Sequence, residues 1–145
     1  MGTEDDWQHR RPEGTDDATV AAAGKLSEAL EVVEQARGHL YAFHQLTGKA
    51  DMKLGEAVEQ LREAGHGRLA ERLERELVGR NVLAGRWTFQ IVEDYDDNYW
   101  SVFRDSERAV RDMIMGGRRH VYEAEMKEAR RTPGVPGHES RPAER

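Results

Sequence analysis

Helical periodicity is the feature of this sequence that most restricts its fold. From residue 18 to residue 131 the apolar residues recur with the three-to-four-residue period of an α-helix. No stretch alternates between apolar and polar residues as a half-buried strand would. A chain of 145 residues suits one domain. The pattern therefore predicts an all-α protein.

Breaks in this periodicity predict four to five helices. The predicted helices cover residues 17–46, 51–64, 68–78 and 88–115, with a last amphipathic piece at 118–131. Thr47-Gly48 is expected to end the first helix, whereas Gly116-Gly117 either ends or only hinges the long fourth one. Short connections between helices of matching length favour antiparallel neighbours, so we expect an up-down helical bundle.

Both ends of the chain have a different composition from the middle. Residues 1–17 are polar and acidic and show no period, and residues 132–145 hold three of the four prolines. Such segments cannot bury enough apolar surface to offset the entropy of ordering. We therefore expect a disordered acidic tail over 1–17, a helical bundle domain over 18–131 and a second disordered tail over 132–145.

Charge and composition exclude several classes of function. Most of the net charge of −6 comes from the acidic N-terminal segment, so the body is near neutral and lacks the basic surface of a nucleic-acid-binding protein. The absence of cysteine excludes disulfides and thiolate chemistry. No apolar run approaches the roughly 20 residues needed to cross a bilayer. We expect a cytoplasmic protein with no nucleic-acid or membrane partner and no cofactor.

The stretch "VEDYDDNYW" at residues 92–100 is the densest group of carboxylates and aromatic rings. On a helical wheel most of its acids face away from the apolar side, which is typical of a solvated surface. Asp96 instead falls at the edge of the apolar side and would need a partner. Arg37 and His44 lie on the apolar side of the first helix. Asp96 with Arg37, His44 or both is therefore predicted to form a buried polar cluster, either a core pair or a ligand site.

No metal-binding pattern in the sequence is convincing, and we predict no metal ligands. "DYDDN" imitates the start of a calcium loop, but Tyr99 replaces the turn glycine and the segment has a helical period. A single Glu63-x-x-His66 match lies at a glycine-flanked break. The glutamate spacings are faintly similar to those of the all-α nucleotide pyrophosphohydrolases, which hold magnesium with bundled carboxylates. However, Glu31 and Glu93 face away from the apolar sides of their helices.

Two further groups of residues are candidates for binding. Basic residues at the start of the last helical piece could bind an anion at its positive end; they are Arg118, Arg119 and His120. Apolar residues in and after the connection "GRNVLAGR" could form a contact surface; they are Val82, Leu83, Phe89 and Trp100.

Three stretches together carry a resemblance. "ARGHLYAFHQLTG", "GRWTFQIVEDYD" and "GRRHVYEAEMKEARRTPG" resemble small uncharacterised helical proteins of actinobacteria. That group has no assigned activity, so the resemblance transfers no catalytic residue. It implies an all-α intracellular protein.

The leading interpretation is a non-catalytic helical bundle that binds another protein or associates with itself. This interpretation predicts an exposed apolar patch near the four residues of that contact surface, and no convergent acids. One alternative is a metal-dependent hydrolase, which predicts at least three carboxylates within reach of one metal ion. Another is a small-ligand binder that uses Asp96, His44 and Arg37.

Overall fold

A computed structural model describes residues 8–140 of the chain, and this part is all-α, as the sequence predicts. The helices are α1 (Asp17–Glu63), α2 (Gly67–Glu76), α3 (Thr88–Tyr95), α4 (Ser101–Met115) and α5 (Val121–Arg130). A π-helical segment, Asp96–Trp100, joins α3 to α4 without a break. The described residues therefore form four helical rods, within the predicted number of four to five.

The first rod is longer than predicted. α1 is a single helix of 47 residues, about 70 Å at 1.5 Å per residue. The expectation that Thr47-Gly48 ends this helix is wrong, because Gly48 lacks the positive φ of a helix-ending glycine. Thr47, Ala50 and Leu54 line one cavity and continue a single face across the glycine. Glycine lowers helix propensity by about 1 kcal/mol, which packing along such a face can offset.

Gly116 and Gly117 end the long helix rather than hinge it. Their φ angles are 59° and 74°, in the left-handed region that glycine adopts readily. The Gly117 N–H donates to the Arg111 carbonyl at 3.1 Å, which closes the last turn. His120 is also left-handed, with φ of 58°, and α5 starts at the next residue.

The described residues fall into two compact units. The terminal unit contains the residues up to 32 and those from 103 onward, and the central unit is Val33–Val102. In the terminal unit, Val20, Met115 and Val121 form a buried cluster between α1, α4 and α5. Gly24 of α1 lies against Tyr122 of α5, where a Cβ atom at position 24 would be 2.8 Å from the tyrosine Cβ. The absent side chain therefore allows the two helices to approach.

In the central unit, neighbouring helices run antiparallel, as the sequence predicts. The α1 residues Glu34, Arg37 and His44 contact Trp100, Asp96 and Thr88 respectively, so the residue numbers rise on one helix and fall on the other. α2 also returns along α1, since Arg62 pairs with Glu74 and Asp51 accepts from the Gly79 N–H at 2.8 Å. In the following connection, Leu83 pairs with Arg86 across a tight turn.

The predicted tails lie partly outside the described residues, which exclude 1–7 and 141–145. The described part of the N-terminal tail is held in place, because Arg11 donates to both oxygens of Glu125 at 2.7 and 2.9 Å. In the C-terminal tail, the Thr132 N–H donates to Nδ1 of His138 at 3.2 Å. Described residues on both sides of the predicted 18–131 domain therefore make contacts, and the predicted boundaries stay a prediction.

Burial of apolar side chains is modest for a chain of this length. Seven hydrophobic residues are buried in the described part: Val20, Val33, Val58, Ala70, Val92, Met115 and Val121. Eighteen large hydrophobic side chains are exposed there, among them Leu46, Val82 and Trp87. Within residues 8–140, none of the helices is both long and apolar enough to cross a membrane.

Candidate functional site

Asp96 and Arg37 form an ion pair in the central unit. Arg37 Nε donates to Asp96 Oδ1 at 2.8 Å, and Nη2 donates to Oδ2 at 3.3 Å. The Tyr41 hydroxyl also donates to Oδ2 at 3.0 Å, a contact that the sequence analysis missed. The two ionic side chains are 17% and 28% exposed, so the pair is half-buried rather than fully buried. Oδ1 of Asp96 thus accepts from a charged donor, and Oδ2 accepts from one charged and one neutral donor.

The π-helical segment places an aromatic ring beside this pair. The Arg37 guanidinium lies 3.9 Å from the centroid of the Trp100 ring and 5.2 Å from that of Tyr41. Trp100 Nε1 donates to Glu34 Oε1 at 2.6 Å. Asp96 and Trp100 are the first and last residues of the segment, and the Ser101 N–H donates to the Asp96 carbonyl in the π pattern. One widened turn thus presents an acid and an aromatic ring to the same arginine.

The electrostatics of this cluster favour its charged form. The hydrogen bond from Arg37 lowers the pKa of Asp96, although partial desolvation opposes the shift and Tyr41 adds to it. The same hydrogen bond raises the pKa of Arg37. Burial raises the pKa of the neighbouring Tyr95 hydroxyl. A carboxylate held ionised by three donors is suited to fixing the pairing of α1 with the long helix, and poorly suited to accepting a proton in catalysis.

His44 belongs to a different contact. Its Nδ1 lies 2.6 Å from Oγ1 of Thr88, the first residue of α3. Of the alternatives predicted for Asp96, which were Arg37, His44 or both, the contacts therefore correspond to Arg37. Arg37, the residue that does so, is seven positions earlier in α1, about 10 Å along the helix axis.

A second ion pair, in the terminal unit, was not predicted. Glu107 is 6% exposed and accepts from Arg111 Nε at 3.0 Å and from the Ser27 hydroxyl at 3.1 Å. Arg111 Nη1 also donates to the carbonyl of Gly117 at 2.9 Å. The pair therefore ties the glycine turn to α4 and, through Ser27, to α1. The i,i+4 spacing of Glu107 and Arg111 is the sequence signal that could have identified it.

The basic residues predicted to bind an anion lie directly before α5. Arg118 Nη1 donates to the Arg10 carbonyl at 2.9 Å, and the Arg119 carbonyl accepts from His9 Nδ1 at 2.7 Å. His120 faces the carboxylates of Glu31 and Glu123, with ligand atoms of all three residues within 4.8 Å of one another. Two carboxylates beside the histidine disfavour an anion at His120, and the anion site predicted for Arg118, Arg119 and His120 stays a prediction.

The carboxylates considered for a hydrolase do not meet. Among the described residues, the group of Glu31, His120 and Glu123 is the one set of three potential metal ligands that converges. Of the glutamates and aspartates compared with the pyrophosphohydrolases, it includes Glu31 alone. The three converging carboxylates that this alternative predicts are absent from residues 8–140.

The apolar residues of the predicted contact surface are partly brought together. Val82, Leu83 and Phe89 are 50%, 40% and 42% exposed. Trp87, which the sequence analysis did not select, is 59% exposed and packs on Phe89 with ring centroids 5.1 Å apart. Trp100 is half-buried over Arg37 and does not join this surface as an exposed residue.

Two adjoining cavities open at this surface. The larger, of about 490 Å³, is lined by Thr47, Ala50, Asp51, Leu54, Leu77, Arg80, Asn81 and Val82. The smaller, of about 380 Å³, is lined by Arg80, Asn81, Val82, Arg86, Trp87, Thr88 and Phe89. Arg80, Asn81 and Val82 line both cavities, which therefore adjoin; together they are called here the apolar groove.

Comparison of the chain with protein-family models, with curated proteins and with solved structures finds no match. The resemblance to helical proteins of actinobacteria stays a prediction.

Proposed function

We propose that this protein acts by binding a second copy of itself through the apolar groove of its central unit. The observation that carries the proposal is the groove itself, where exposed apolar side chains surround two joined cavities. Apolar surface costs about 25 cal/mol for each Å² left in water. A contiguous patch of such surface is typical of an interaction site.

A second copy is favoured as the occupant because the core is small. Within residues 8–140, seven hydrophobic residues are buried, whereas eighteen large hydrophobic side chains are exposed. Chains that bury little apolar surface alone gain stability when association buries more of it. Association through the groove would remove Val82, Leu83, Trp87 and Phe89 from water together.

The charges along the groove also suit a symmetric contact. Arg80 and Asp51 both line the larger cavity, and Arg86 on the smaller one pairs with Asp94 at 2.5 Å. In a two-fold dimer each surface meets its own copy, so a patch of one charge sign would repel itself. A groove that carries both signs can place each arginine near an acid of the other chain.

The cellular setting belongs to the same proposal. We place the protein in the cytoplasm, as a non-catalytic member of the actinobacterial helical proteins that it resembles. Its net charge of −6 and near-neutral body argue against a nucleic-acid partner.

Light scattering after size exclusion, over a range of protein concentrations, tests the proposal. We expect a mass of twice the 16.5 kDa of one chain. Val82→Glu should give the monomer mass, because it would bury a carboxylate in the interface. Val135→Glu is the matched control, since Val135 is 40% exposed and lies in the other unit.

A monomer at every concentration would overturn self-association and direct attention to a different protein partner. A dimer that Val82→Glu and Val135→Glu leave equally intact would show that the groove is not the interface.

A further inference from the structure

A histidine and two glutamates from different helices converge in the terminal unit. Glu31 lies on α1, Glu123 lies in the first turn of α5, and His120 directly precedes α5. One ligand atom from each residue lies within 4.8 Å of the other two. Ligands at about 2.1 Å from a common metal ion are about 3.4 Å apart. Because Glu31 and His120 are exposed, small side-chain rotations can close the remaining distance.

The two carboxylates of this group lack the partners that other acids in the same unit have. Glu107, Glu125 and Glu128 each pair with an arginine. Within residues 8–140, by contrast, neither Glu31 nor Glu123 has a hydrogen-bond or ion-pair partner. Two acids brought together without a counter-charge repel each other, and a divalent cation would relieve that repulsion.

The surroundings of His120 hold it at this position. Its backbone is left-handed, and the preceding residue accepts a hydrogen bond from His9 at 2.7 Å. His120 and Glu123 also line a small cavity of about 20 Å³, large enough for one water molecule or a bound ion. Two of the three residues thus already line a space of suitable size, together with Arg111 and Arg118.

We propose that Glu31, His120 and Glu123 bind one divalent transition-metal ion of the zinc class. Two carboxylates balance the charge of the ion, and an imidazole nitrogen is a ligand that zinc, cobalt and nickel accept and that magnesium and calcium avoid. Three protein ligands leave a further coordination position for water. The site lies in the terminal unit and is independent of the apolar groove.

Isothermal titration of the untagged full chain with zinc chloride tests the proposal. We expect one zinc ion per chain, and no displacement by an excess of magnesium. His120→Gly and Glu31→Gln should each weaken binding by roughly tenfold or more. Glycine at position 120 removes the imidazole and suits the left-handed backbone, so this variant should remain folded.

Two matched controls separate this site from general surface binding. His39→Ala removes an exposed histidine from the central unit, and Glu28→Gln removes an exposed acid one turn before Glu31. Both should bind zinc as the parent does. Absence of zinc binding up to millimolar concentration would overturn the proposal. So would binding that His120→Gly leaves unchanged, or magnesium binding as tight as that of zinc.

Discussion

The contact between Gly24 and Tyr122 gives the sharpest test of the packing in the terminal unit. In Gly24→Ala, the new Cβ would lie 2.8 Å from both Cβ and Cγ of Tyr122 and 3.3 Å from Cδ1. An ordinary contact is about 3.4 Å or longer, so α5 must retreat by about 0.6 Å. Rotation of the tyrosine ring cannot relieve the clash, because its own Cβ is one of the atoms in contact.

The expected magnitude follows from two opposing effects. Overpacking at a close helix contact costs about 1–3 kcal/mol. Replacing glycine by alanine inside a helix stabilises the helix by about 1 kcal/mol. Gly24→Ala should therefore be neutral to about 2 kcal/mol destabilising. Gly38→Ala, in the same helix with no atom within 4 Å of the new Cβ, should stabilise by about 1 kcal/mol.

Urea unfolding followed by circular dichroism measures this difference in the free energy of unfolding. Hydrogen exchange locates its origin, because amides of α5 should exchange faster in Gly24→Ala and at the parental rate in Gly38→Ala. If Gly24→Ala stabilises the protein as much as Gly38→Ala, α5 does not pack on α1 as described. The same displacement should also weaken zinc binding at the site proposed for Glu31, His120 and Glu123.

Three further predictions concern the polar contacts. The hydrogen bond from Arg37 lowers the pKa of Asp96 in the folded protein. The pair therefore stabilises the protein fully above about pH 4, the pKa of an unfolded aspartate, and loses this effect as the pH falls through the lower pKa of folded Asp96. Asp96→Asn should cost about 1–3 kcal/mol at pH 7 and flatten the acid dependence of the urea midpoint; an unchanged dependence would contradict this reasoning. Glu107→Gln should cost about 1–3 kcal/mol in urea unfolding, because it leaves Arg111, whose side chain is 13% exposed, without its counter-charge. The exposed Glu76→Gln should change little, and equal effects of the two would refute the burial argument. Asp96→Asn and His44→Gln should be additive within about 0.5 kcal/mol in a double-mutant cycle, and a larger coupling would place both residues in one cluster.

Periodicity was sufficient to predict the rods but not all of their ends. The long helix over residues 88–115 and the position of α2 follow from the apolar pattern. Gly48 and Gly116 carry the same local signal, yet only Gly116 ends a helix. At Gly117 the Arg111 side chain donates to the backbone carbonyl and is itself held by buried Glu107, whereas Gly48 lies within a face that continues across it. The presence of a glycine alone therefore does not determine where a helix ends.

The polar cluster was predicted only in part, because the helical wheel does not include a π-helical turn. The wheel placed Asp96 at the edge of the apolar side, and the structure pairs it with Arg37. The wheel assumes 100° per residue, whereas the π-helical segment over 96–100 inserts a wider turn. This widening turns Trp100 toward Arg37 and away from the groove that it was expected to border. No feature of "DDNYW" alone distinguishes a π-helical turn from an α-helical one.

The exposure of Glu31 on its own helix is a limited reason to exclude it from a metal site. It lies outside the apolar side of α1 and is exposed, as the wheel indicates. This position predicts that Glu31 shares no metal ion with an acid on another helix. That inference is valid for residues at the centre of a solvated face, but not for those beside a packed neighbour. Because Gly24 admits α5 close to α1, Glu31 on α1 and Glu123 on α5 have ligand atoms within 4.8 Å of each other. An amphipathic wheel describes one helix, whereas ligand convergence depends on the distance between two.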